Sequence, residues 1–363
     1  MARPPGIDRR DVPFISPPTL TLPADGRKLI FLDLNHWISF AKALSGHRDG
    51  VQHKDVFDEC MNAVDRGAAV FPISDALLLE VSRIGRHRQR RHIREAIEPL
   101  SRFLVVTSRL DISTHERETM LDLAVGPNPR PINTTSYLDW GVARALGRVG
   151  GFRVMSEDGL DVTAKARLAH AGGPEAFDAI MAEAELELQR HSLDGPTAGQ
   201  EPEMRRQGWD PRSTDAIDRR RVEQEIEFVR ALDANPELRR SQLRDAVGAR
   251  EVIIELNEKL FRGLEERGAS LADVTPPGGG MLVFDAMPSF DVAVTIKAAY
   301  HQNPSHRWTT NDIHDIDLLG STIPYCDVVV TDKAAASHAN RTGLAERHNT
   351  VVLPRLSDLR AHL

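Results

Sequence analysis

Three consecutive valines, Val328-Val329-Val330, followed at once by Thr331 and Asp332, constrain this chain more than any other stretch. An unbroken β-branched run without polar alternation suits a strand buried on both faces. Such strands belong to parallel sheets covered by helices on each side. A carboxylate just past the strand's carboxyl end stands where open α/β sheets put their ligands. The segment leading into the strand from Asn311 reads as a helix and a turn, and it carries Asp312, Asp315 and Asp317.

Other short apolar runs repeat the pattern. Leu29-Ile30-Phe31-Leu32 ends in Asp33-Leu34-Asn35. Ala69-Val70-Phe71-Pro72-Ile73 is a second strand whose proline points to a strand end or sheet edge. Phe103 to Val106 and Thr350 to Leu353 supply two more. Helical stretches separate them, and Ser74 is placed to cap the one that carries Glu80. This alternation predicts an α/β fold around a mostly parallel sheet. Residues 1–27, rich in proline, read as an extended or disordered arm. Residues 28–122 and 281–363 form the two parts of the sheet domain. Residues 123–280, where strand-like runs are scarce, read as a mainly helical insertion that returns through Gly268 to Gly280.

Composition narrows the function. A net charge of -7 counts against extensive coating of nucleic acid but leaves room for a local basic groove. Two distant cysteines without a CxxC give neither a disulfide scaffold nor a zinc knuckle, and they fit a reduced, cytoplasmic setting. No run reaches the ~18 apolar residues of a membrane span, and prolines interrupt any signal peptide at the N-terminus. No membrane association is expected.

Four acidic residues stand out by position. Asp33 ends the first strand, Glu80 lies in the helix after the second, Asp315 precedes the valine strand and Asp332 follows it. Strand ends and helix starts gather at one edge of a parallel sheet, so these carboxylates are expected to meet there. Converging carboxylates repel, which calls for a cation. Oxygen ligands without a Cys or His cluster favour Mg2+ or Mn2+, an ion able to activate water and stabilise a phosphodiester transition state. Each residue also has a plainer reading. Asp33 fits a helix cap, Glu80 a surface helix position, Asp332 a turn, and Asp312 a helix-start cap. Asp317 lies about 200° round the helix from Asp315 and reads as solvated or as a supporting residue.

Taken in order, these segments resemble PIN-domain nucleases. The D-x-N ending of the first strand, the glutamate after the second strand, the aspartate-bearing helix and the strand ending in Thr and an acid all match. The segments NDIHDID and PYCDVVVTD further resemble a bacterial PIN-like subgroup with an ND-x-x-D…PYCD…TD pattern. The match spans about 29–110 and 285–355. It departs from the family in its long insertion and in a third acidic position shared among Asp312, Asp315 and Asp317. The resemblance implies a three-layer PIN-like sandwich and Mg2+- or Mn2+-dependent hydrolysis of phosphodiesters, most often in RNA. Asp33, Glu80, Asp315 and Asp332 would be the catalytic metal ligands. Asn35, Ser74 and Thr331 would be their hydrogen-bonding neighbours.

Arg83, Arg86, Arg90 and Arg94 recur at helical spacing directly after Glu80 and read as a phosphate-binding face or, more plainly, a solvated one. Two further functions stay open. One is a catalytically silent PIN-fold binding protein; the other is a haloacid-dehalogenase-type phosphatase, although Asn35 stands where that family has its second aspartate. The insertion is open to substrate recognition, homo-oligomer formation or a protein partner.

Overall fold

The strand β2 (Lys28–Leu32) runs through the middle of the sheet. The computed structural model describes residues 20–22, 26–130, 132–133, 135–147, 152–274 and 286–363. Along β2 the side chains alternate between two cores, as the pleat requires. Ile30 and Leu32 pack with Phe40, Val56 and Ile97 on one face. Leu29 and Phe31 pack with Ile313, Ile316 and Leu319 on the other. Each large apolar side chain so buried contributes about 1.5–3 kcal/mol.

Parallel neighbours flank β2. On one side lies β3 (Ala69–Val70); on the other lies β7 (Val328–Val330), followed by β8 (Val351–Leu353). Pro72 has no N–H for the ladder and interrupts the second strand, but pairing resumes at Ile73. The Ile73 N–H donates to the Leu104 carbonyl at 3.0 Å, and the Ile73 carbonyl accepts in turn from Val106 N–H at 2.8 Å. Through this bridge β4 (Leu104–Val106) joins the sheet. The chain thus steps outward from β2 to β3 and β4, then returns to the opposite side of β2 for β7 and β8. The point where that order reverses lies between β2 and β7, and ligand crevices open at such a point.

Helices cover both faces, so the α/β class with a largely parallel sheet agrees with the sequence reading. α1 (Leu34–Leu44), α2 (Lys54–Asp65), α3 (Asp75–Arg83), α4 (His87–Ser101) and α5 (Arg109–Val125) occupy the first half. Among the described residues no helix is long and apolar enough to cross a membrane.

Two boundaries differ from expectation. β6 (Leu138–Trp140) lies within the stretch read as helical, yet it pairs antiparallel with β4 at the sheet edge. Its three residues, with an acid at the centre, offer no apolar run to recognise. Leu20–Thr21, from the arm, forms β1 and pairs with β5 (Thr135–Ser136). Residues 1–19 and 23–25 of the arm, and 275–280 of the returning loop, lie outside the described residues.

The helical insertion is bound to the core by buried charge. Lys297, on the Pro288–Gln302 helix, is 3% exposed. Its ammonium meets Glu251 at 2.6 Å and Glu225 at 3.0 Å, both from insertion helices. His301 and Arg250 also hold Glu225. Removing one partner of such a knot strands the others in a dry site. Lys297→Met should lower the unfolding free energy by about 3–5 kcal/mol in chemical denaturation. A loss below about 1 kcal/mol would show that the knot is hydrated or dispensable.

Candidate active site

The register of β2 and β7 places the first two carboxylates. Leu32 lies opposite Val330, so the next residues emerge together at the carboxyl edge. Asp33 N–H donates to the Val330 carbonyl at 2.9 Å. Thr331 Oγ1 donates to Asp33 Oδ2 at 3.4 Å. Asp33 is 7% exposed and holds the cap position of α1 without a side-chain capping bond. Asp332 caps the Lys333–Arg341 helix, its Oδ1 accepting from Ala334 N–H at 2.6 Å and Ala335 N–H at 3.0 Å. Both capping bonds end on that one oxygen.

Glu80 on α3 and Asp315 on the Thr310–Thr322 helix lie within electrostatic reach of the same sheet edge. Burial and the charge of Asp33 push Glu80 up to about 7, against a weaker pull from Arg83. Asp315 is pushed up to about 7 by burial, then by Asp332, Asp33, Glu80 and Asp312. Asp33 is raised by burial; His36 and nearby backbone amides oppose the shift, and Asp332 adds to it. Among the described residues, neither Glu80 nor Asp315 has a hydrogen-bonded or ion-paired side-chain partner. Four segments far apart in sequence therefore share one field of negative charge. No three His, Cys, Asp or Glu side chains among the described residues form a group that would hold a metal ion as they stand. The donor set is all carboxylate oxygen, which suits hard divalent cations.

The three aspartates on one helix divide by environment. Asp312 completes a capping box: its Oδ2 accepts from Thr309 N–H at 2.7 Å, and Thr309 itself is the cap residue. Asp315 faces the carboxylates. Asp317, two residues on, receives a two-pronged bond from Arg221 at 2.6 and 2.8 Å and lies 3.5 Å from Arg109. Burial alone would raise Asp317, but Arg109 and Arg221 pull it down to about 2. Asp317 is therefore not solvated; it fastens the insertion to the helix that bears Asp315.

The remaining expected residues are used unevenly. Thr331 is buried against Asp33. Ser74 accepts from Leu77 N–H at 3.2 Å as the cap of α3, and the Asn35 side chain is exposed. His36 places Nε2 3.2 Å from the Thr331 carbonyl, and burial lowers its pKa. Tyr300 was not foreseen. Its phenol is raised by burial and by Asp315, Asp312 and Asp332, so it borders the same field. It ends a helix that is apolar nearly all round, where sequence periodicity marks no face.

The phosphate-binding face read for the basic run does not hold for three of its four arginines. Arg83 bonds Thr214 at 2.7 Å and Asp218 at 2.9 Å. Arg90 is 3% exposed and donates to the carbonyls of Ile84, Asp194 and Pro196. Arg94 pairs with Glu98 and Asp194. Partners about a hundred residues downstream turn this face inward, and nothing local in the sequence reveals them. Arg86 remains exposed.

Asp315 ionises near pH 7 in the folded protein and near 4 in an unfolded chain. Folding is therefore favoured by its protonated form. That contribution is complete below about pH 4 and is lost as the pH rises through 7. Asp315→Asn should then stabilise the metal-free protein by about 1–3 kcal/mol at pH 8 and by less at pH 5, measured by denaturant unfolding in EDTA. A variant no more stable than the parent at pH 8 would contradict the shared field.

Comparison of the chain with protein-family models, with curated proteins and with solved structures finds no match, so the reading of this site rests on its own residues.

Proposed function

We propose that this chain is a divalent-metal-dependent nuclease that hydrolyses phosphodiester bonds in RNA, built on a PIN-like three-layer sandwich. One observation carries the reading. The charges of Asp332, Asp33 and Glu80 raise the proton affinity of buried Asp315, that of Asp33 raises Glu80, and no cationic side chain is bonded to Glu80 or Asp315 among the described residues. A purely structural cluster is expected to contain its own cations, as Asp317 does in Arg221 and Arg109.

Mg2+ or Mn2+ held by these residues would supply an acidified water nucleophile and neutralise charge on the phosphate. Asp33 and Asp332 are fixed by the sheet and by a helix cap, so they serve as the rigid pair. Glu80 and Asp315, balanced near neutrality, would help to hold the ion and would release their protons on binding it. Glu80 also has the basicity that a general base needs at neutral pH. The 3.4 Å contact from Thr331 Oγ1 helps to place the Asp33 carboxylate, whose charge acts on both Glu80 and Asp315.

The test is cleavage of labelled single-stranded RNA with Mn2+ or Mg2+, with EDTA as control. Asp33→Asn and Asp332→Asn should each lose about 100-fold or more in rate while keeping the parent's circular dichroism, since even outer partners of metal sites cost roughly 10–100-fold. Cleavage unchanged in both folded variants would remove these residues from the chemistry. Absence of cleavage in the parent with either metal would remove the nuclease reading itself.

A further inference from the structure

The arginines nearest Glu80 are largely neutralised within the protein: Arg83 by Asp218 and Asp215, and Arg221 by Asp317. Unspent positive charge lies elsewhere. A cleft of about 630 Å³ opens between the second half of α1 and the start of α4. Ile38, Ile84 and Ile93 line it with apolar surface, and Lys42, His47, Arg88 and His92 contribute its basic groups, of which His47 lies 3.7 Å from Asp49. None of the described side chains lining it is a carboxylate. Among the described residues, Lys42, Arg88 and His92 have no hydrogen-bonded or ion-paired side-chain partner.

We propose that this cleft holds a single-stranded RNA segment beside the scissile phosphate, with Lys42 and Arg88 on phosphates and the isoleucines against base and sugar. The inference rests on the nuclease reading for its choice of ligand. Three observations support that choice. The volume falls within the range of ligand pockets, roughly 300–1,000 Å³. The combination of apolar lining and the unpaired Lys42 and Arg88 matches the two faces of a nucleotide strand, and the one carboxylate seen at the rim, Asp49, is paired with His47. The cleft is also tied to the acidic site by its own walls. α1 starts directly after Asp33 and reaches Lys42 about 13 Å later, at 1.5 Å per residue. Ile84 follows Glu80 by one helical turn.

The basic run thus has two faces. Arg90 and Arg94 point into the protein, whereas Arg88 and His92, one turn apart, line the cleft. The overall charge of -7 makes such a local patch more selective than a uniformly basic surface would be.

The test measures binding of a short labelled single-stranded RNA to the full chain in EDTA, across a salt series. Lys42→Glu combined with Arg88→Glu should raise Kd by about tenfold or more. It should also reduce the salt slope by about 1.4, the loss of two phosphate contacts on a single strand. The milder pair Lys42→Gln and Arg88→Gln should move both quantities the same way by less, and it serves if the charge reversals impair folding. Hydrolysis of bis(p-nitrophenyl) phosphate with Mn2+ should be unchanged in all these variants, because that ester is too small to need the cleft. Unchanged Kd and slope, or a parent protein that does not bind the strand, would overturn the proposal. Displacement of the strand by poly-glutamate at equal charge concentration would overturn RNA as the occupant in favour of an acidic protein. Cleft-dependent binding in a parent that hydrolyses no phosphodiester would instead reject the nuclease reading and leave the cleft assignment standing.

Discussion

The in-register parallel pairing of β2 with β7 is the constraint on which the rest depends. It sets Asp33 and Asp332 beside each other at the one sheet position where the chain's direction of travel reverses. The backbone ladder holds the strand ends together while the carboxylates they carry repel. Glu80 and Asp315 are then brought into the same field by the helices that must cover the sheet. Burial removes water from these groups, and Glu80 and Asp315 find no protein cation bonded to them. The fold therefore supplies enough binding energy to keep a locally unfavourable charge arrangement in place.

The helix Thr310–Thr322 shows how finely that arrangement is divided. Asp315 and Asp317 lie two residues apart on opposite sides, and their proton affinities shift in opposite directions, to about 7 and about 2. One side faces carboxylates; the other faces arginines, including Arg221 from the insertion. Lys297, on the neighbouring Pro288–Gln302 helix, adds a second attachment through Glu225 and Glu251. The insertion is thus bonded to the helix that presents Asp315, and its anchoring fixes the orientation of that part of the site. Such contacts restrain a carboxylate without touching it.

Much of the sheet was legible because buried parallel strands leave an unmistakable record. Val328-Val329-Val330 and Leu29 to Leu32 are short, wholly apolar and followed by an acid, and the strands form there. The cap roles of Ser74 and Asp312 were legible for the same reason: capping chemistry is local. Charge partners were not. Arg90 and Arg94 looked like a basic face until Asp194 came back across them, and Asp317 looked solvated until Arg221 reached it. Each such pair joins residues about a hundred positions apart, beyond any periodicity. β6 escaped notice because a three-residue edge strand with an acid at its centre needs no hydrophobic pattern. The emergence of Asp33 and Asp332 at adjacent strand ends follows from sheet topology, whereas the raised proton affinities of Glu80 and Asp315 depend on burial that a sequence does not display.

The central claim is that Asp33, Glu80, Asp315 and Asp332 together take up a divalent cation, Glu80 and Asp315 releasing protons as they do so. Calorimetric titration of Mn2+ into the metal-free protein at pH 7, in buffers of differing ionisation enthalpy, tests it most directly. Uptake should be accompanied by proton release, since Glu80 and Asp315 must ionise to bind. Both uptake and release should be weakened in Asp33→Asn. Absence of Mn2+ uptake, or uptake without proton release and unaffected by Asp33→Asn, would contradict the account.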